Sequence, residues 1–170
     1  MTIETPLDAL YTLPTFEHGL KYDGTLDSIL NELDQERDCS DNLPDNLRTR
    51  AFHPSRIICV VTDYKIEHPS EEADSLLRSA ISVALELYSD LDTEVVSGFR
   101  DELKTSGIED LLTKTIVQPS DRITSLANSP NRSSATVNKI ATKSDSKDIL
   151  LIALGHGGVA AGMDVFLKYC

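Results

Sequence analysis

Tryptophan is absent from this chain, and four phenylalanines and five tyrosines are its whole aromatic stock. A core built from it must be filled mainly by Leu, Ile, Val and Ala. Cysteine is scarcer still: Cys39, Cys59 and Cys170 are the three, and none stands in a CxxC spacing. An odd cysteine count without a leader peptide argues against a secreted disulfide framework and predicts the cytoplasm or another reducing compartment. The opening "MTIETPLDAL" has no basic region, and no segment approaches the ~20 apolar residues that span a bilayer. Membrane insertion is therefore not expected. A basic patch is missing too, since Asp41 and Asp45 precede the neighbouring Arg48 and Arg50. With 28 acidic against 16 basic side chains the formal charge is −12, which repels phosphate backbones and makes nucleic acid an unexpected partner.

What is present fits an ordinary globule. The 170 residues suffice for one domain that buries roughly two thirds of its unfolded surface. Hydrophobic residues make up 40% and charged residues 26%, which excludes a disordered or fibrous chain. No internal repeat is visible.

Residues 1 to about 24 scatter apolar side chains among Pro6, Pro14, Gly19 and Gly24, and read as an irregular arm. Thr25 then caps a short helix whose Leu26, Ile29, Leu30 and Leu33 fall at helical spacing. The charged "DQERDCSDNLPDN" reads as a surface loop. "RIICVV", residues 56 to 61, is a continuous β-branched apolar run of the kind expected in a strand covered on both faces. Ser70 opens the strongest helical pattern, with Glu71 and Glu72 in its first turn. Its apolar stripe runs through Ala73, Leu76, Leu77, Ala80, Ile81, Ala84, Leu85 and Tyr88.

Beyond that helix, "TEVV" at 93 to 96 and "TIV" at 115 to 117 read as short strands, with Ser106 capping a short helix between them. Residues 120 to 134 are rich in Ser, Asn, Asp and Pro, and a short helix is placed near 135 to 142. "DILLIAL" then reads as a second buried strand, followed by a last helix carrying Val159, Met163, Phe166 and Leu167. The predicted fold class is therefore α/β: a single layered domain over residues 51–170, its partly parallel sheet flanked by helices. An irregular acidic arm with a short helix, residues 1–50, precedes it. An α+β arrangement with an antiparallel edge is the alternative.

Open parallel sheets bind ligands beyond the carboxyl ends of their strands. There the first strand would release Asp63, and the second Gly155, His156, Gly157 and Gly158. The expected catalytic pair is His156 with Asp63, a neutral imidazole beside a carboxylate being a workable general base. Gly155, Gly157 and Gly158 are the expected ligand-binding turn, where backbone N–H groups at a helix start would take a small anion. The same glycines also serve a plain strand-to-helix turn. The stretch is neither GxGxxG nor a Walker loop, and no cofactor or metal site is predicted. His18, His53 and His68 are scattered; His53-Pro54 and His68-Pro69 read as loop residues. Cys59 reads as an inert thiol inside the first buried strand.

Three partial resemblances attach to these residues. A strand ending in His156-Gly157, after the strand and helix order of residues 56 to 158, resembles the His motif of caspase-like cysteine peptidases. The chain ends at Cys170, where that family would continue to a strand bearing its nucleophile. "GHGGVAAG" is similar to the subtilase His motif, with "VVTDYKIEHP" loosely like its Asp motif, but the spacing is too long. The Gly-His pair also resembles the β-carbonic anhydrase pattern, with Gly158 and Val159 where the zinc cysteine would stand. None names a family for the chain.

Two functions follow as expectations. One is a non-enzymatic acidic protein that acts through protein–protein contacts, as an assembly subunit or adaptor, with its N-terminal third available to a protein partner. The other is a hydrolase-type enzyme for a small molecule or anion that uses His156, or a degenerate caspase-like domain.

Overall fold

The computed structural model describes residues 22–35, 43–89 and 93–118, together with 159, 162, 163 and 165–167. Strand β1 (Tyr22–Thr25) leads into helix α1 (Leu26–Gln35). Helices α2 (Leu43–Glu67), α3 (Glu71–Ser89) and α4 (Thr93–Thr105) follow, then a 3-10 helix (Glu109–Thr113) and strand β2 (Thr115–Gln118). The two strands pair antiparallel, Tyr22 opposite Gln118 and Thr25 opposite Thr115. Residues 159, 162, 163 and 165–167 are helical. The described protein is thus a helical assembly with a two-stranded antiparallel ribbon. The expected α/β domain with a partly parallel sheet is wrong.

Helix α1 starts where its sequence says it should. Thr25 Oγ1 accepts the Ser28 N–H at 3.1 Å, and Ser28 Oγ accepts the Thr25 N–H at 2.7 Å. This is a reciprocal capping box with serine in the distal position. Leu26, Ile29, Leu30 and Leu33 are fully buried, one face of the helix inside the core. Arg100 of α4 holds the first turn from outside, bonding the Asp27 carboxylate, the Asp27 carbonyl at 3.2 Å and Asn31 Oδ1 at 2.8 Å.

Helix α3 is capped by Ser70, whose Oγ accepts the Ala73 N–H at 3.1 Å, with Glu71, Glu72 and Asp74 complementing its N-terminal dipole. Its buried face is Ala73, Leu76, Ala80, Val83, Ala84, Leu87 and Tyr88. The stripe expected from the sequence is rotated slightly: Val83 and Leu87 point inward, while Ile81 is 39% exposed.

Helix α2 overturns the largest expectation. "RIICVV" is not a strand but the middle of a 25-residue helix. Every residue from 51 to 61 is buried, Pro54 included. Ile57, Val60 and Val61 enter the main core with α1, α3, α4 and the 3-10 helix. Ile58 turns to a second cluster with Ala84, Tyr88 and Met163. A helix apolar on all sides is a buried helix, and over six residues its pattern matches that of a doubly covered strand. His53 and Pro54 therefore lie inside a helix, not a loop, and Cys59 sits on a helix rather than a strand. Pro54 cannot donate to the carbonyl four residues back, and packing on every side offsets that loss. Ser55 and Thr62 return their hydroxyls to the Phe52 and Ile58 carbonyls at 2.8 and 2.7 Å, which keeps both polar groups satisfied.

Two smaller corrections follow. "TEVV" opens α4, whose Val96, Phe99 and Leu103 are buried at helical spacing. Ser106 does not cap the next helix. Gly107, at φ 70°, closes α4: its N–H bonds the Lys104 carbonyl at 3.1 Å and the Ile108 N–H bonds Leu103 at 2.9 Å. These are the two bonds of a Schellman motif, and Ile108 and Leu103 share the core as its apolar pair. The "TIV" strand is present as β2. Tyr22 to Gly24, expected to be irregular, pair with it as β1, and residues 43–46 of the expected loop begin α2. The expected strand "DILLIAL" and the helix near 135 to 142 lie outside the described residues.

Candidate functional site

Two helical spacings on α2 set the polar chemistry of the core. His53 and Arg56 stand three residues apart, on one face of a buried helix, and α1 lays Glu32 against His53. His53 Nε2 is 2.7 Å from Glu32 Oε2, and His53 Nδ1 is 2.6 Å from Arg56 Nη1. Arginine is a donor only, so Nδ1 accepts from it and the ring proton sits on Nε2, facing the carboxylate. The imidazole and the guanidinium are each 3% exposed, whereas the Glu32 side chain is 47% exposed. Burial pushes the His53 ring below the ordinary imidazole value. The Glu32 hydrogen bond and charge work against that shift, and the Arg56 charge works with it.

One helical turn further on, Cys59 is buried with its thiol free of any disulfide. Burial, and after it the Asp63 carboxylate, push the thiol up to about 12, with Arg56 acting in the opposite sense. Such a sulfur stays protonated at neutral pH and is a poor nucleophile. The expected inertness of Cys59 has a helical, not a strand, origin.

Asp63 lies half-buried on α2, one turn past Cys59, rather than at the end of a strand. His156, Gly155, Gly157 and Gly158 lie outside the described residues, so the expected His156–Asp63 pairing has no described geometry. The parallel-sheet rim on which that pair was placed does not exist among the described residues, because the strand meant to supply Asp63 is helix. Among the described residues no three His, Cys, Asp or Glu side chains gather as metal ligands. Nor is any of their helices long and apolar enough to cross a membrane.

The residues that sequence reasoning missed are Glu32, His53 and Arg56. Their signal was the i, i+3 spacing of His53 and Arg56, which carries meaning only once the segment is known to be helical. Glu32 comes from 21 residues away in sequence and no local pattern announces it. The chain matches no known protein family, no curated protein and no solved structure.

Proposed function

We propose that the protein works through contacts with another protein, as an assembly subunit or adaptor. The observation that carries this reading is how the described core disarms its reactive side chains. His53 engages both ring nitrogens and Cys59 is held as a thiol, which supports a role for each in packing and helix docking. A chain of net charge −12 favours a partner that presents a basic face. A small anion at 155–158 would rest on residues outside the described set and adds nothing to this reading.

The test is the size of the tagged full chain in extract from its own cells, by size-exclusion at about 0.15 M and about 0.5 M salt. A stoichiometric complex that weakens at the higher salt is expected. Migration of the 18.7 kDa chain alone at both salts would overturn the proposal. Truncation has to respect the fold. Deleting residues 1–50 would strip Leu26, Ile29, Leu30 and Leu33 from the core, so the informative deletion stops before Tyr22. It is expected to weaken the complex while the helical core stays folded.

A further inference from the structure

Helix α3 carries an outer face on which apolar and charged side chains are exposed together. Arg78, Ser82 and Glu86 follow one another at four-residue steps, and all three are exposed. Beside them runs an apolar ridge at the same spacing: Leu77, Ile81 and Leu85, half-buried at its two ends and 39% exposed at Ile81. Leu77 and Leu85 lean on the second core cluster, to which Met163 also belongs, and nearby in sequence Phe166 is 42% exposed. Asp74, one turn before Arg78, feels its charge but is bonded by Lys65. Among the described residues no ion pair holds Arg78 or Glu86.

We infer that this face seats a second copy of the chain, the two α3 helices crossing antiparallel about a two-fold axis between Ile81 and Ser82. The order of the charges selects that occupant. Arg78 and Glu86 lie two turns apart, about 12 Å along the helix, on either side of the axis. An antiparallel crossing brings Arg78 of each copy to the level of Glu86 of the other, so one ion pair is made twice, as an isologous interface requires. A parallel crossing would set Arg78 on Arg78 and Glu86 on Glu86. Ser82 at the crossing is small enough for the helices to approach, and Ile81 meets the opposite apolar ridge. The net charge of −12 does not forbid the contact. Charges beyond about 8 Å are screened at about 0.15 M salt, and residues 77 to 86 carry one charge of each sign. The apolar ridge supplies the attraction, while the exposed ion pairs set direction more than strength. A patch confined to one helix falls in the class of transient interfaces, so the dilute chain is a monomer. The pairing stands independently of the partner proposed above.

Sedimentation velocity of the purified full chain tests it, from about 5 to about 500 μM, a span that brackets transient affinities. The wild type is expected to move from 18.7 kDa toward twice that mass as concentration rises. Arg78→Glu or Glu86→Arg alone turns two attractions per dimer into repulsions, and each should weaken the dimer roughly tenfold. Ile81→Glu should abolish it. Combining Arg78→Glu with Glu86→Arg reverses both charges and should restore the wild-type association. All these positions are exposed, so each variant is expected to keep the helical circular dichroism of the wild type. A wild-type chain that stays at 18.7 kDa throughout would overturn the pairing. So would a dimer that the single reversals leave unchanged, or one that the double reversal does not restore.

Discussion

Helices α2 and α3 are neighbours of similar composition joined by His68, Pro69 and Ser70, yet they meet solvent in opposite ways. Around α3, buried and exposed positions alternate at helical spacing: Leu87 is fully buried beside exposed Glu86. Around the middle of α2 there is no exposed face at all, and adjacent Ile57 and Ile58 enter two different clusters. An amphipathic helix writes its geometry into its sequence because water selects one face. A helix walled in by others leaves no such record.

The contrast can be broken by mutation. Ile57→Ala and Ile58→Ala should each cost roughly 2–5 kcal/mol in urea unfolding, since both leave cavities in packed core. On α3 the neighbouring pair should split, Leu87→Ala costing roughly 2–5 kcal/mol and Glu86→Ala staying within about 0.5 kcal/mol. A near-neutral Ile58→Ala would show that α2 has a solvent face after all. Next in size are the helix ends. Thr25→Ala and Ser70→Ala should each lose about 1 kcal/mol through an unsatisfied backbone N–H. Gly107→Ala should lose about 1–2 kcal/mol by forcing a side chain onto a left-handed backbone. Smallest is Ser82→Ala on the exposed face of α3, expected within about 0.5 kcal/mol by the same measurement. A loss above 1 kcal/mol there would mean that α3 is covered on its outer side.

The same contrast explains what could be read from the sequence. Helices α1 and α3 were legible down to their caps, because Thr25 and Ser70 precede single-faced apolar stripes. Strand β2 was legible because Pro119 stops a short β-branched run. "RIICVV" is not, since the five consecutive apolar residues after Arg56 satisfy a period of 2 and of 3.6 equally, and Pro54 just before them resembles a boundary. Burial on every side overrides both the β propensity of Ile and Val and the proline penalty. Ser106 before acidic residues resembles a helix start, whereas Gly107 makes a stop for α4. The site shares that ambiguity: Asp63 stands at a strand end only if "RIICVV" is a strand, and on α2 it lies inside a helix. The Glu32–His53–Arg56 row needed two helices docked in space before it could be seen.

The account turns on α2 being helical through residues 51 to 61. Backbone ¹³C secondary shifts of the full chain test this most directly, residue by residue. Helical Cα shifts, displaced downfield without interruption from Ile57 to Val61 and accompanied by i, i+3 contacts between His53 and Arg56, are the predicted result. Upfield, strand-type shifts over Arg56 to Val61 would contradict it, and with it the Glu32–His53–Arg56 row, which needs His53 and Arg56 on one helical face.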